Sequence, residues 1–154
     1  MAHLEFALEK LEELSAGGRV VCSRTYETVP WGDVPQGPYL NAAALIMWKG
    51  SPRELLEELL RIERIAGRVR YAIDVRYGPR TLDLDLLWMD GVSESDEQLV
   101  VPHPRLHERA FALWPMLDVA PNACDPAGRP YVRPPLDGVL AIDGVAVAGS
   151  SAAG

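Results

Sequence analysis

The sequence predicts an α+β fold in which a sheet is layered with helices. Three observations carry this. Segments with apolar residues at helical spacing (3–15 and 51–66) are interleaved with β-branched or period-two segments (19–28, 39–48 and 80–88). The connections between them are short. A chain of 154 residues, 48% hydrophobic and 24% charged, suits one domain with a real core. With no repeat or linker along it, one domain is expected over 1–146. The Gly-, Ser- and Ala-rich end, 147–154, reads as a disordered tail.

Residues 3–15 form an amphipathic helix, with Leu4, Ala7, Leu8, Leu11 and Leu14 on one stripe, ended by Gly17-Gly18. Residues 19–28 are β-branched and read as a strand. A Pro- and Gly-rich loop follows, from Pro30 to Pro38, and then a second strand over 39–48, read as long and largely buried. Ser51-Pro52-Arg53-Glu54 combines a Ser cap, Pro at the first helical position and Glu three after the Ser. The helix it starts buries Leu55, Leu59, Ile62 and Ala66 and stops at Gly67. Residues 68–79 read as an Arg-rich loop, and 80–88 as a strand closed by the Asp90-Gly91 turn. A short strand near 99–101 precedes a helix from about 105 to 113 or beyond, bent or ended near Pro115. The Pro- and Gly-rich last third has room for a hairpin.

Bulk properties exclude several functions. Net charge is −7, which argues against a nucleic-acid partner. No apolar run approaches the roughly 20 residues of a spanning helix, so no membrane partner is expected. The start, Met1-Ala2-His3-Leu4-Glu5, lacks a basic, then apolar, leader; together with only two cysteines, Cys22 and Cys124, this points to a reducing cytoplasm. Within this acidic chain, Arg61, Arg64, Arg68, Arg70, Arg76 and Arg80 crowd one stretch against Glu63 and Asp74. That pattern fits a small anionic ligand better than a long polyanion, although Arg61 and Arg64 also suit a solvated helix face.

The most informative segment is Arg76-Tyr77-Gly78-Pro79-Arg80-Thr81-Leu82-Asp83-Leu84-Asp85-Leu86-Leu87. On a strand, Asp83 and Asp85 point one way and Leu82, Leu84 and Leu86 the other. Their Cβ atoms would lie roughly 6.5–7 Å apart. Two such carboxylates can hold one Mg²⁺ or bridge a pair of ions about 3.5–4 Å apart. Nearby guanidinium groups suit a polyphosphate. Alone, the alternation equally describes a half-buried strand with a solvated face. Tyr39-Leu40-Asn41 offers a ring to stack on a flat heterocycle and an amide to read its edge, or simply a solvated face. His103, Arg109 and Phe111 lie close in sequence, where surface roles remain open.

Taken in order, Tyr26–Gly32, Tyr39-Leu40-Asn41-Ala42-Ala43, Gly67-Arg68-Val69-Arg70, Arg76–Leu87 and Val101-Pro102-His103-Pro104-Arg105 with Arg109-Ala110-Phe111 resemble the 6-hydroxymethyl-7,8-dihydropterin pyrophosphokinases of folate biosynthesis, over about residues 4–121. The resemblance implies a ferredoxin-like three-layer α/β/α sandwich with a mainly antiparallel sheet. It implies transfer of pyrophosphate from ATP to a reduced pterin, with release of AMP, by a Mg²⁺-dependent monomer. Asp83 and Asp85 would hold two Mg²⁺ ions. Tyr39 and Phe111 would sandwich the pterin, and Thr28, Val29, Trp31 and Asn41 would read its edge. Arg68 and Arg70 would close over the phosphates. Arg80, His103 and Arg109 would contact ATP, with Arg76 and Tyr77 flanking it. Glu63 matches a family acid near the site, without an assigned role.

Two departures accompany the resemblance. The family begins with a strand and a Gly-Ser-Asn-Leu-Gly turn, whereas this chain starts inside the following helix. The first strand is therefore expected to be missing and Met1 to be an internal or misassigned start. The Arg68–Arg80 loop is about two residues longer than in common members. The alternative reading is a non-catalytic remnant that retains pterin or nucleotide binding; a weaker one is an interaction domain whose arginines bind an acidic partner.

Overall fold

The computed structural model describes residues 2–29, 37–67, 82–136 and 139–142. Among them it is α+β, with three α-helices and small antiparallel sheets. Helix α1 (Ala2–Leu14) buries Ala7 and Leu11 and ends at Gly17 and Gly18, both at positive φ. Its end is tied to the sheet: Ala16 N–H donates to the Met47 carbonyl at 2.7 Å, and Ser15 Oγ accepts Met47 N–H at 3.1 Å. Helix α2 (Pro52–Ile65) starts as its sequence requires. Ser51 accepts the Glu54 N–H while the Glu54 carboxylate accepts the Ser51 N–H, a complete capping box. These bonds hold the Glu54 carboxyl below the usual range. Leu55, Leu59 and Ile62 are buried as expected, whereas Ala66 is only half-buried.

The two expected long strands are each broken. The first becomes β1 (Val20–Cys22) and β2 (Thr25–Thr28), the second β3 (Tyr39–Asn41) and β4 (Ala44–Ile46). β1 pairs with β4 and β2 with β3. Between the two ladders, Ser23 to Thr25 on one side oppose only Ala42 and Ala43 on the other, a one-residue bulge. Ser23 fills it: its N–H donates to the Ala43 carbonyl at 2.9 Å, and its Oγ accepts the Ala43 N–H at 2.8 Å. The second strand is also less buried than expected. Tyr39, Leu40, Ala42, Ala44 and Met47 are exposed.

The expected strand over 80–88 is not a strand in its described part. Residues 82–89 make no ladder among the described residues, and residues 80 and 81 lie outside them. Its side-chain alternation nevertheless holds. Leu82 is buried, Leu84 and Leu86 pack on the core of α1 and α2, and Asp83 and Asp85 are exposed. Among the described residues the segment is held by apolar anchoring and not by a ladder. After the Asp90-Gly91 turn, β5 (Glu94–Ser95), which was not anticipated, pairs with β6 (Val100–Val101). The Val101–Pro102 peptide is cis.

The helix expected from 105 begins as a 3-10 turn (Leu106–Glu108) and continues as α3 (Ala110–Val119), passing through Pro115. Proline removes one helical hydrogen bond. Burial of Leu113, Met116 and Leu117 in a second core cluster, with Pro115 itself buried, offsets that loss. A hairpin-like loop closes at a Cys124–Pro130 bridge, with Asp125 accepting the N–H groups of Ala127 and Arg129. Strand β7 (Val139–Ile142) adds to the free edge of β2, giving the order β3-β2-β7. Cys22 and Cys124 are both free. No helix among the described residues is long and apolar enough to cross a membrane. The tail expected at 147–154 lies outside the described residues.

Candidate functional site

The described candidate residues stand on two parts of the fold, a first and a second wall. The first is β2 and β3 under α3. Directly opposed residues of an antiparallel pair share a face. Tyr26 opposes Asn41 and Thr28 opposes Tyr39, so all four share one. Asn41 Nδ2 donates to Thr28 Oγ1 at 3.0 Å, which orients the amide and the hydroxyl together. Tyr26 is fully buried on this face, 6.4 Å from the Trp114 ring. Its hydroxyl donates to Asp118 Oδ2 at 2.9 Å. Arg24 binds both oxygens of Asp118, each at 3.1 Å, and Arg133 adds a third charged contact at 2.7 Å.

These contacts fix how α3 lies over the strands. Asp118 meets Arg24 and Trp114 meets Tyr26. Phe111 lies one turn before Trp114 on the same helix face and packs against the second core cluster. Phe111 is half-buried and Tyr39 is 36% exposed. Val29, 69% exposed, stands at the strand's end. The Arg109 guanidinium lies 5.7 Å from the Phe111 ring centroid.

The second wall is the segment bearing Asp83 and Asp85. It is held from α2 by Glu63, whose Oε1 accepts the Leu84 N–H at 2.7 Å, and from the other side by the His103 N–H, which donates to the Leu87 carbonyl at 2.8 Å. A cleft of about 290 Å³ lies beside it, lined by Leu56, Asp85, Leu86, Leu99, Val100 and His103. Burial, together with the Arg109 charge, pushes the His103 imidazole below its usual pKa, against the opposing pull of Asp85. His103 Nδ1 accepts the Arg105 N–H at 3.3 Å, which leaves the proton of the neutral ring on Nε2. Arg53 on α2 pairs with Asp96 and Gln98, bracing the β5–β6 turn at the mouth of the cleft. A larger concavity between α1 and α2, about 620 Å³, is lined by Glu13, Lys49, Glu57 and Glu58 and contains none of the candidate residues.

The donor chemistry of the second wall fits Mg²⁺. Two exposed carboxylates supply hard oxygen ligands, and Mg²⁺ keeps several waters and substrate oxygens rather than a full protein cage. No group of three or more His, Cys, Asp or Glu side chains gathers as a metal cage among the described residues. The remaining expected site residues, Trp31, Arg68, Arg70, Arg76, Tyr77 and Arg80, lie outside the described residues. The contact network of Arg24, Tyr26, Asp118 and Arg133 was missed in the sequence, because its members stand up to 109 residues apart in a chain without matching motifs. Glu63 did carry a signal: it is a carboxylate next to the apolar stripe of α2 and is only 2% exposed.

Residues 1–121 match the family model for 7,8-dihydro-6-hydroxymethylpterin-pyrophosphokinase. The chain is 47% identical over 115 residues to the 2-amino-4-hydroxy-6-hydroxymethyldihydropteridine pyrophosphokinase of Methylorubrum extorquens, covering 73% of this chain and 71% of that protein. It is 41% identical over 117 residues to the enzyme of the same name from Bacillus subtilis, covering 76% and 68%. The mitochondrial folate synthesis bifunctional protein of Arabidopsis thaliana is 41% identical over 119 residues, covering 76% of this chain and 21% of that protein. With the match spanning both walls of the site, the chain belongs to the 7,8-dihydro-6-hydroxymethylpterin-pyrophosphokinase family.

Proposed function

We propose that this protein transfers pyrophosphate from ATP to 6-hydroxymethyl-7,8-dihydropterin, giving the pterin diphosphate and AMP, on a ferredoxin-like α/β/α framework in a cytoplasmic monomer. The observation that carries the reading is the alternation at Leu82–Leu86. It leaves Asp83 and Asp85 exposed on a segment anchored in the core, with Asp85 sharing a cleft with His103.

The pterin ring stacks between Tyr39 and Phe111, and Thr28, Asn41 and the chain near Val29 and Trp31 read its edge. ATP enters from the cleft side, its base end toward the apolar lining and its phosphates toward Asp85 and His103. The neutral His103 ring donates from Nε2 to a phosphate oxygen, and Arg109 spans the gap between phosphates and pterin. Arg68, Arg70, Arg76 and Arg80, with Tyr77, enclose the rest of the nucleotide, which excludes water and suppresses hydrolysis. The pterin hydroxymethyl oxygen attacks the β-phosphorus and forms the new P–O bond, its proton passing to solvent, while the bond from the β-phosphorus to the oxygen shared with the α-phosphorus breaks and AMP leaves with that oxygen. Mg²⁺, held by Asp83 and Asp85, would neutralise phosphate charge and make the attacking hydroxyl more acidic. Positioning and charge balance do the work, so no protein nucleophile is required.

The test is AMP release by the purified chain. It should require both the reduced pterin and Mg²⁺. Binding of ATP or pterin without any AMP formation would favour the non-catalytic alternative instead.

A further inference from the structure

Residues 82–89 have no ladder among the described residues, yet they carry the two acids. Their backbone is pinned on both sides of Asp85, at Leu84 by Glu63 and at Leu87 by the His103 N–H. Glu63 is an unusual choice for its place. It stands four residues after Leu59 on the stripe α2 buries, where an apolar side chain would pack without cost. Burying a carboxylate is unfavourable unless polar partners meet it. One of those partners is the amide between Asp83 and Asp85 themselves.

We propose that Glu63 is a positioning residue for the acidic pair: its carboxylate grips the Leu84 N–H and so fixes the spacing and direction of the two flanking carboxylates toward a divalent ion. The proposal rests on the reading of Asp83 and Asp85 as metal ligands. A ladder partner would ordinarily hold such an amide in register; here a side chain on the neighbouring helix does so. Groups that orient metal ligands from behind commonly alter metal affinity or activity by about 10- to 100-fold when replaced.

The experiment compares Glu63→Gln, which keeps a hydrogen-bond acceptor, with Glu63→Met, which keeps volume and unbranched shape without an equivalent one. Thermal unfolding of both confirms that they fold. Two readouts follow: hydrogen exchange at the Leu84 amide, and Mn²⁺ affinity from paramagnetic relaxation in the full-length chain without nucleotide. Glu63→Gln should stay near wild type in both. Glu63→Met should expose the Leu84 amide to exchange and weaken Mn²⁺ by about tenfold, with kcat falling more than the pterin KM rises. Equal damage in the two variants would overturn the proposal, since charge rather than the hydrogen bond would then matter. So would unchanged Mn²⁺ affinity in Glu63→Met while Asp83→Asn abolishes binding. Mn²⁺ affinity insensitive to Asp83→Asn and Asp85→Asn would instead remove the metal reading, and the proposal with it.

Discussion

Thr28, Tyr39 and Asn41 stand on strands whose register is set by paired backbones, whereas Asp83 and Asp85 stand on a segment with no ladder among the described residues. On the first wall, β2 is flanked by β3 and β7 and tied to α3 through Asp118. On the second, the leucines at 82, 84 and 86 and the hydrogen bonds at Leu84 and Leu87 are among the contacts that locate the acids. The ladder fixes many positions at once, so a change to one side chain there acts locally or on stability. The laddered wall can therefore fail by unfolding, while the other can lose function with the fold intact.

The largest effect should come from the second wall. Asp83→Ala or Asp85→Ala should lower kcat by about 10³-fold or more, since metal-borne charge stabilisation is worth several kcal/mol. Because both residues are exposed, unfolding free energy should move by no more than about 0.5 kcal/mol. Paired turnover and denaturant measurements check this; a large stability loss with the turnover loss would mean that the acids shape the fold instead.

On the laddered wall the balance reverses. Asp118→Asn should cost about 2 kcal/mol of stability, as expected for weakening a part-buried charged hydrogen-bond centre, and leave kcat nearly unchanged. Burial pushes the Asp118 carboxyl up, but hydrogen bonds from Arg24 and Tyr26 outweigh it and hold the group below the ordinary carboxylate range. Its folded-state pKa then lies below the unfolded value of about 3.9. The folded protein binds fewer protons there, so this stabilisation is complete above that value and is lost as pH falls through the folded pKa. Urea midpoints measured between about pH 5 and 3 should fall more steeply for the wild type than for Asp118→Asn.

The same contrast explains what the sequence made legible. The capping box at Ser51–Glu54, the stripe of α2 and the Asp-Leu alternation are local patterns, and each appears at its expected place. The bulge at Ser23 left no local mark, because it depends on how many residues the facing strand supplies. Residues 80–88 read as a strand because alternation reports which side chains are buried. It does not report whether a neighbouring strand is present to bond. Pro115 reads as a bend or an end, and the helix passes it because the packing of Leu113 and Met116 outweighs a local preference. Within the site, residue types were legible wherever motifs carried them. Their spatial pairing, such as Asp85 with His103 or Arg109 with Phe111, needed the fold.

A smaller effect is expected from the rings. Tyr39→Ala or Phe111→Ala should raise the pterin KM by about three- to tenfold, the value of one aromatic stack, and leave the ATP KM nearly fixed. An equal rise for both substrates would place the ring outside the pterin wall.

The smallest concerns Thr28. Thr28→Val keeps the branched shape that suits β2 but removes the oxygen that accepts from Asn41 Nδ2. The amide then keeps only its longer contact to the Tyr26 carbonyl, 3.4 Å, and is free to rotate away from the position opposite Tyr39. A neutral hydrogen bond that acts on the ligand only through the amide it orients falls at the low end of such bonds, about 0.5 kcal/mol, so the pterin KM should rise roughly twofold. Strand pairing to β3 and β7 uses backbone groups that the substitution leaves in place, so the unfolding midpoint should barely change. Steady-state kinetics with the pterin varied at saturating ATP would measure this. A stability loss larger than the KM effect would show that Thr28 holds the wall together, and that the laddered side is less self-sufficient than its backbone pairing implies.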